Sequence, residues 1–227
     1  MAGVGTPAPR RPRALPRRLV RLVVGQFGRP HGLGGHLSGW VMAHRASNRR
    51  RNRWVVSLLD VAPTDRVLEI GFGPGIAVSE LSHLAPRGEV VGIDHSEVMV
   101  RRARRRNAEA VGAGRVDLRL GSVQALPDFE GPLDKILAVN SMGFWPEPVA
   151  RLQELRDRLR PGGTIAIASQ PRGRGATRQA SVEAARQIEA ALHDAGYSSM
   201  RTETLALDPP VVCVIAVTEG HPERGSR

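Results

Sequence analysis

The sequence predicts an α/β domain on a seven-stranded, mostly parallel sheet with a terminal antiparallel strand, preceded by an amino-terminal helical cap. Three observations predict it. Short apolar runs at 67–70, 90–93, 116–120, 136–139 and 165–168 recur along the chain, most of them followed by turn residues and then a helical pattern. The runs are continuous rather than alternating, the mark of strands buried on both faces of a parallel sheet. Finally, 203–207 and 211–218 flank Asp208-Pro209-Pro210 with no room for a crossover helix, so the last pair reads as an antiparallel hairpin.

Taken in order, residues 1–14, with Pro7, Pro9, Pro12 and scattered arginine and glycine, bury too little to offset their ordering entropy and read as a basic tail. Leu15, Leu19, Leu22 and Val23 share one face of a short helix, with Arg17, Arg18 and Arg21 elsewhere on it. Residues 25–39 carry six glycines and a proline and read as a loop. A helix is expected from about Trp40 to Asp60, with Trp54, Val55, Leu58 and Leu59 facing the core, until Ala62-Pro63-Thr64-Asp65 stops it. The helices between the strands carry the stripes Ile76, Leu81, Leu84; Val149, Leu152, Leu155, Leu159; and Val182, Ala185, Ile188, Leu192. The expected organisation is a tail at 1–14, a helical and loop cap at 15–60, the α/β domain at 61–219 and a flexible tail at 220–227.

Composition excludes several classes. No stretch approaches the roughly 18 unbroken apolar residues of a membrane helix, and the short early apolar run, interrupted by Arg21, is a poor secretory signal. One cysteine, Cys213, permits neither an internal disulfide nor a thiolate metal cage, so a reducing cytoplasm is expected and a metal site is not. The net charge of +11 is local: residues 1–53 carry 12 arginines and no acidic residue, whereas 54–227 carry 21 basic and 22 acidic side chains. Thirty-two of the 33 cations are arginine, which reads as the coding bias of a GC-rich, bacterial genome.

The strongest chemical signal is Val67-Leu68-Glu69-Ile70-Gly71-Phe72-Gly73-Pro74-Gly75, where the first strand passes into a helix. Alternate glycines let the backbone turn sharply and approach a ligand at the carboxyl edge of the sheet. The second strand ends in Asp94, a carboxylate placed to accept hydrogen bonds from ribose hydroxyls. The G-x-G-x-G spacing differs from the G-x-G-x-x-G of dinucleotide sites. Glu69 also disfavours a diphosphate and favours a cationic cofactor.

With these residues in view, the chain resembles a class I S-adenosylmethionine-dependent methyltransferase, from residue 60 to about 218. The resemblance implies a Rossmann-like fold, S-adenosylmethionine as cofactor and S-adenosylhomocysteine as product. Glu69, Gly71, Phe72, Gly73 and Gly75 match the glycine-rich motif, whose acidic residue and loop face the methionine part; Asp94, with His95 beside it, matches the ribose-binding acid. Met99 is expected against the adenine. Gly121-Ser122-Val123 matches the adenine-lining position, where Ser122 replaces the usual aspartate and implies a weaker hydrogen bond. Asn140-Ser141 matches the place where the family meets cofactor and reacting centre, and Leu159-Arg160-Pro161-Gly162-Gly163 a structural helix-to-strand turn.

Methyl transfer needs alignment more than acid–base machinery, because the sulfonium is already a good leaving group. His31 and His36, in a glycine-rich segment able to fold over the cofactor as a lid, are the candidate bases, and Asn140 the further candidate catalytic residue. Trp145 and Phe144 offer an aromatic wall for a substrate, and Arg172 and Arg174 a hold on an anionic group. A small-molecule methyl acceptor, as in bacterial secondary metabolism, is the expected partner. The alternatives are an RNA or DNA methyltransferase using residues 10–53 and the 101–106 arginine cluster as a phosphate-binding arm, and a non-catalytic cofactor-binding scaffold.

Overall fold

The computed structural model describes residues 34–172 and 176–219, with side chains from Ala46 onward. The tails at 1–14 and 220–227, the helix expected near Leu15–Val23 by its leucine stripe, and Arg174 lie outside the described residues. Contacts group the chain into Met1–His44 and Arg45–Arg227. Of the first unit, residues 34–44 are described, as the opening turns of α1 (Gly34–Ser57). The expected loop therefore ends earlier than residue 39, with Gly39 inside a helix: a glycine costs about 1 kcal/mol there, less than cooperative extension of a long helix can overcome.

In the second unit the strand–helix alternation follows the sequence pattern closely. After α1 come β1 (Arg66–Ile70), α2 (Ile76–Leu84), β2 (Glu89–Asp94), α3 (Glu97–Arg106), the short α4 (Ala108–Gly112) and β3 (Val116–Leu120). Then β4 (Leu133–Val139) leads through a 3-10 turn at Met142–Phe144 to α5 (Pro148–Arg158), β5 (Leu159–Ser169), α6 (Arg178–Asp194), β6 (Ser199–Leu205) and β7 (Val211–Val217). Side chains cap two of the helices: the Ser96 hydroxyl accepts from the Met99 N–H and Thr177 Oγ1 from the Ala180 N–H. Pro148 opens α5 at its first turn, where the missing N–H costs nothing.

The seven strands run in the order β3-β2-β1-β4-β5-β7-β6. All pairings from β3 to β5 are parallel, and β7 alone is antiparallel to both its neighbours. The antiparallel strand is thus last in sequence but one place in from the edge, with β6 outside it. Leu159, expected to end a helical stripe, instead pairs with Leu133 at the start of β5; regular pairing resumes at Thr164 after a register shift.

Alternation along the strands explains why they read as unbroken apolar runs. In β1, Leu68 and Ile70 enter a core with Leu152, Leu155, Ile188 and Leu192 of α5 and α6. Val67 enters the opposite layer, with Val55 and Val56 of α1, Leu59 just beyond it, and Val78 and Leu81 of α2. Two stripe assignments fail: Leu84 and Val182 are 44% and 39% exposed. Leu84 ends α2, beyond the turn that packs on the sheet, and in α6 the buried face runs through Ser181, Ala185 and Ile188 instead. Among the described residues no helix is long and apolar enough to cross a membrane.

Candidate functional site

The sheet order reverses between β1 and β4, because β2 and β3 lie on one side of β1 while β5 lies on the far side of β4. Loops leaving the carboxyl ends of these two strands diverge and leave a crevice, the place where open α/β sheets bind ligands. The glycine loop comes from β1, Asp94 from the end of β2, and Asn140-Ser141 from the end of β4.

Hydrogen bonds hold these ends together. Ser141 Oγ donates to the Ile70 carbonyl at 2.7 Å, stitching β4 to β1. Gly71, at φ +74°, follows, and a Cβ there would lie 2.6 Å from Ser141 Cβ, so only glycine permits the approach. Asp94 is 5% exposed and ties two loops: Oδ2 accepts from the Gly73 N–H at 2.8 Å and Oδ1 from the Ser96 N–H at 2.9 Å. Asn140 holds φ +55°, a left-handed backbone unusual for a residue with a side chain. Its Oδ1 accepts from the Gln170 N–H at 2.7 Å, and its buried Nδ2 has no partner among the described residues.

Two clefts open on this edge. The first, about 470 Å³, is bordered by Gly71, Asp94, His95, Gly121, Ser122, Val123, Asn140 and Ser141 with Ile70 and Ile93. The second, about 550 Å³, lies over the ends of β4 and β5 against α6 and is bordered by Met142, Ile167, Gln170, Arg172 and Ile188. Asn140, Phe144 and Trp145 border both. Trp145 is buried and packs in the core, whereas Phe144 is 84% exposed at the mouth.

The expected cofactor residues divide here. Asp94, His95, Gly71, Gly121, Ser122, Val123, Asn140 and Ser141 border the first cleft; Met99, expected against the adenine, is not among its lining residues, and its N–H donates to the Ser96 cap of α3. Phe72 is instead buried in the layer under α2, its ring against Gly92, where a Cβ would be 2.7 Å away. Gly75, at φ +73°, serves helix packing: a Cβ there would meet Ala103 of α3 and Asn107, which caps that helix, each at 2.7 Å. Glu69 shares the Val67 face of β1 and is 1% exposed, which sends its side chain into the layer behind the loop. Burial pushes its pKa up to about 8, against the nearby Val78 N–H and with help from the charge of Asp94. One Glu69 oxygen has no partner among the described residues. Burial thus favours the neutral form of Glu69 and weakens the attraction for a cation that its charge would supply.

Of the candidate bases, His31 lies outside the described residues, as does the side chain of His36; the His36 backbone is helical, within α1 rather than a loop. The residue that sequence reasoning missed is Arg51 of α1, 4% exposed. Its Nη1 donates to Gln170 Oε1 at 2.6 Å and its Nη2 to Asn48 Oδ1, while Nε has no partner among the described residues. Gln170 Nε2 donates to the Pro209 carbonyl at 2.8 Å, so Gln170 joins α1, the end of β4 and the β6–β7 turn. A signal was present: Asn48, Arg51 and Asn52 fall at helical spacing with Val55, Val56 and Leu59.

Comparisons with known proteins bear on this arrangement. Residues 67–163 match the family model of a methyltransferase domain. The uncharacterized methyltransferase YdaC of Bacillus subtilis (strain 168) is 30% identical over 181 residues, covering 79% of this chain and 97% of that protein. Among solved structures, a SAM-dependent methyltransferase from Aquifex aeolicus superposes with a TM-score of 0.60 at 22% identity, covering 73% of this chain and 88% of that one. Magnesium protoporphyrin IX methyltransferase from Synechocystis PCC 6803 with bound SAH gives a TM-score of 0.60 at 20% identity, covering 77% and 85%. These likenesses show a shared fold, with the crevice at the carboxyl ends of β1, β2 and β4. This chain belongs to the class I S-adenosylmethionine-dependent methyltransferases.

Proposed function

We propose that the protein transfers a methyl group from S-adenosylmethionine to a small organic acceptor, with the cofactor in the first cleft and the acceptor in the second. The observation that carries this reading is the common border of the two clefts at Asn140, Phe144 and Trp145. Two reactants must meet at one point, and these residues are where they can.

The first cleft suits the cofactor chemically. Each Asp94 oxygen accepts one backbone N–H and keeps a lone pair for a ribose hydroxyl. Ile93 and Val123 give apolar surface for an adenine, with Ser122 at its edge, and Gly71 and Ser141 lie on the side of the methionine part. When bound, the cofactor supplies an electrophilic methyl on a sulfonium that is already a good leaving group. What remains for the chain is to orient the acceptor and exclude water, effects that together contribute on the order of 7–11 kcal/mol. Asn140 does not take up a proton at neutral pH, so its part is orientation, through the unpartnered Nδ2 held by the bond from Gln170. Trp145 provides the rigid apolar wall.

A nucleic-acid acceptor finds less support. Of the 101–106 arginines, Arg104 donates to the Leu118 carbonyl and Arg106 to the Pro74 carbonyl, so that both also hold α3 to β3 and to the glycine loop. The burial of Cys213 accords with a reducing, cytoplasmic setting. The test is transfer of labelled methyl from the cofactor to a library of small acceptors with transfer RNA and duplex DNA in parallel. Label in small acceptors and not in nucleic acid is expected, and Phe144→Ala, at an exposed position, is expected to raise the acceptor KM about tenfold. Label confined to nucleic acid contradicts the reading.

A further inference from the structure

Arg51 is a buried cation without a counter-charge. Its two hydrogen-bonded partners, Gln170 and Asn48, are neutral amides, and no salt bridge involves it among the described residues. Burial and the nearby charge of Arg172 lower its pKa to about 10, which still leaves it protonated at neutral pH. Removing a guanidinium from water is expensive unless it is paired and fully hydrogen-bonded, and a second cation beside it adds to the cost. The uncompensated charge of Arg51, with the charge of Arg172 near enough to act on it, makes a positive field that an anion offsets.

The position of this pair says whose anion it is. Gln170, which anchors Arg51, and Arg172 both border the second cleft, and neither borders the first. The same Gln170 holds Asn140 through its backbone N–H, so the cation and the candidate orienting amide are fixed by one residue. The rest of the second cleft is mainly apolar, with Met142, Trp145, Ile167 and Ile188 among its walls. We infer that the second cleft takes an acceptor with an apolar body and a carboxylate, the carboxylate being received by Arg172, which borders the cleft, and drawn by the charge of Arg51, which borders neither cleft and lies behind Gln170. The inference rests on the two-cleft reading above. A guanidinium fork matches the two oxygens of a carboxylate, which an ammonium does not, so Arg172 differs from a lysine at its place. Arg51, whose Nη atoms are bonded to Gln170 and Asn48, acts through its charge and through Gln170 and takes no part in the bond changes.

The test is calorimetric titration of the S-adenosylhomocysteine-loaded protein with a panel of small aromatic and aliphatic carboxylates, phenylacetate among them, each compared with its own primary amide. At least one acid is expected to bind about tenfold or more tightly than its amide. Arg172→Gln, at an exposed position that folding does not depend on, is expected to remove that preference while leaving S-adenosylhomocysteine affinity within about twofold. Arg51→Lys, which keeps the charge behind Gln170, is expected to retain most of it. An acid preference in no pair, or one that survives Arg172→Gln, overturns the inference. So does a loss of S-adenosylhomocysteine affinity beyond about tenfold in Arg172→Gln with the acid–amide ratio unchanged, since the anion is then the cofactor's own carboxylate. If the wild type does not bind S-adenosylhomocysteine, the cofactor reading fails by itself, and the same ratio measured on the ligand-free protein decides the carboxylate question.

Discussion

Glu69 shows how burial changes what an acidic side chain can do. Its pKa of about 8 in the folded chain stands well above the ordinary carboxylate value. Between those values the folded state holds a proton that the unfolded state has released, so stability is fully present below the unfolded pKa and falls as pH rises toward 8. Glu69→Gln, which removes the ionisation, is expected to leave the melting temperature little changed near pH 5 and to raise it relative to wild type near pH 9. Thermal unfolding across that range checks it, and parallel curves for the two proteins contradict it. At this scale the sequence was legible where strand ends determine position: Asp94, Gly71, Ser122 and Ser141 border the first cleft because each follows a parallel strand. It was not legible where burial depends on a partner far along the chain. Arg51 sits in an arginine run that reads as a solvated arm, and only Gln170, 119 residues away, shows that it is inside.

Among the elements, the glycine loop and α2 act as one joint against α3. Gly75 precedes α2 with a left-handed backbone, and a side chain there would strike Ala103 and Asn107. Gly75→Ala is expected to destabilise by about 2 kcal/mol or more, through both the backbone strain and the displacement of α3. The melting temperature should fall by roughly 4–8 °C, and a change under about 1 °C contradicts the packing role. All five parallel strands and the terminal hairpin were legible, because burial on both faces leaves an apolar run that little else produces. Helix boundaries and facing were less so. Leu84 and Val182 carry the hydrophobicity of a core stripe but fall where the helix turns away from the sheet, and Gly39 lies inside a helix despite its propensity.

At the largest scale, the unit Arg45–Arg227 is built on one sheet with a core on each face. Leu68 belongs to one and Leu81 to the other, both fully buried, on opposite faces. Each truncation, Leu68→Ala and Leu81→Ala, is expected to cost about 2–5 kcal/mol, and the double variant to equal the sum within about 0.5 kcal/mol, since separated sites add. Urea denaturation measures all three, and strong non-additivity contradicts two independent layers. The order of the strands across the sheet could not be read from the chain, yet it is this order that creates the crevice between β1 and β4 and brings Asn140-Ser141 beside Gly71.

The central claim is that this crevice holds the cofactor through Asp94. Its most direct test is calorimetric titration of the protein with S-adenosylhomocysteine, repeated on Asp94→Ala after confirming that the variant is folded. Micromolar binding that weakens about tenfold or more in the variant, a loss of about 1.4 kcal/mol or greater, is the expected result. Equal affinity in the two proteins, or no binding to the wild type at millimolar ligand, contradicts it.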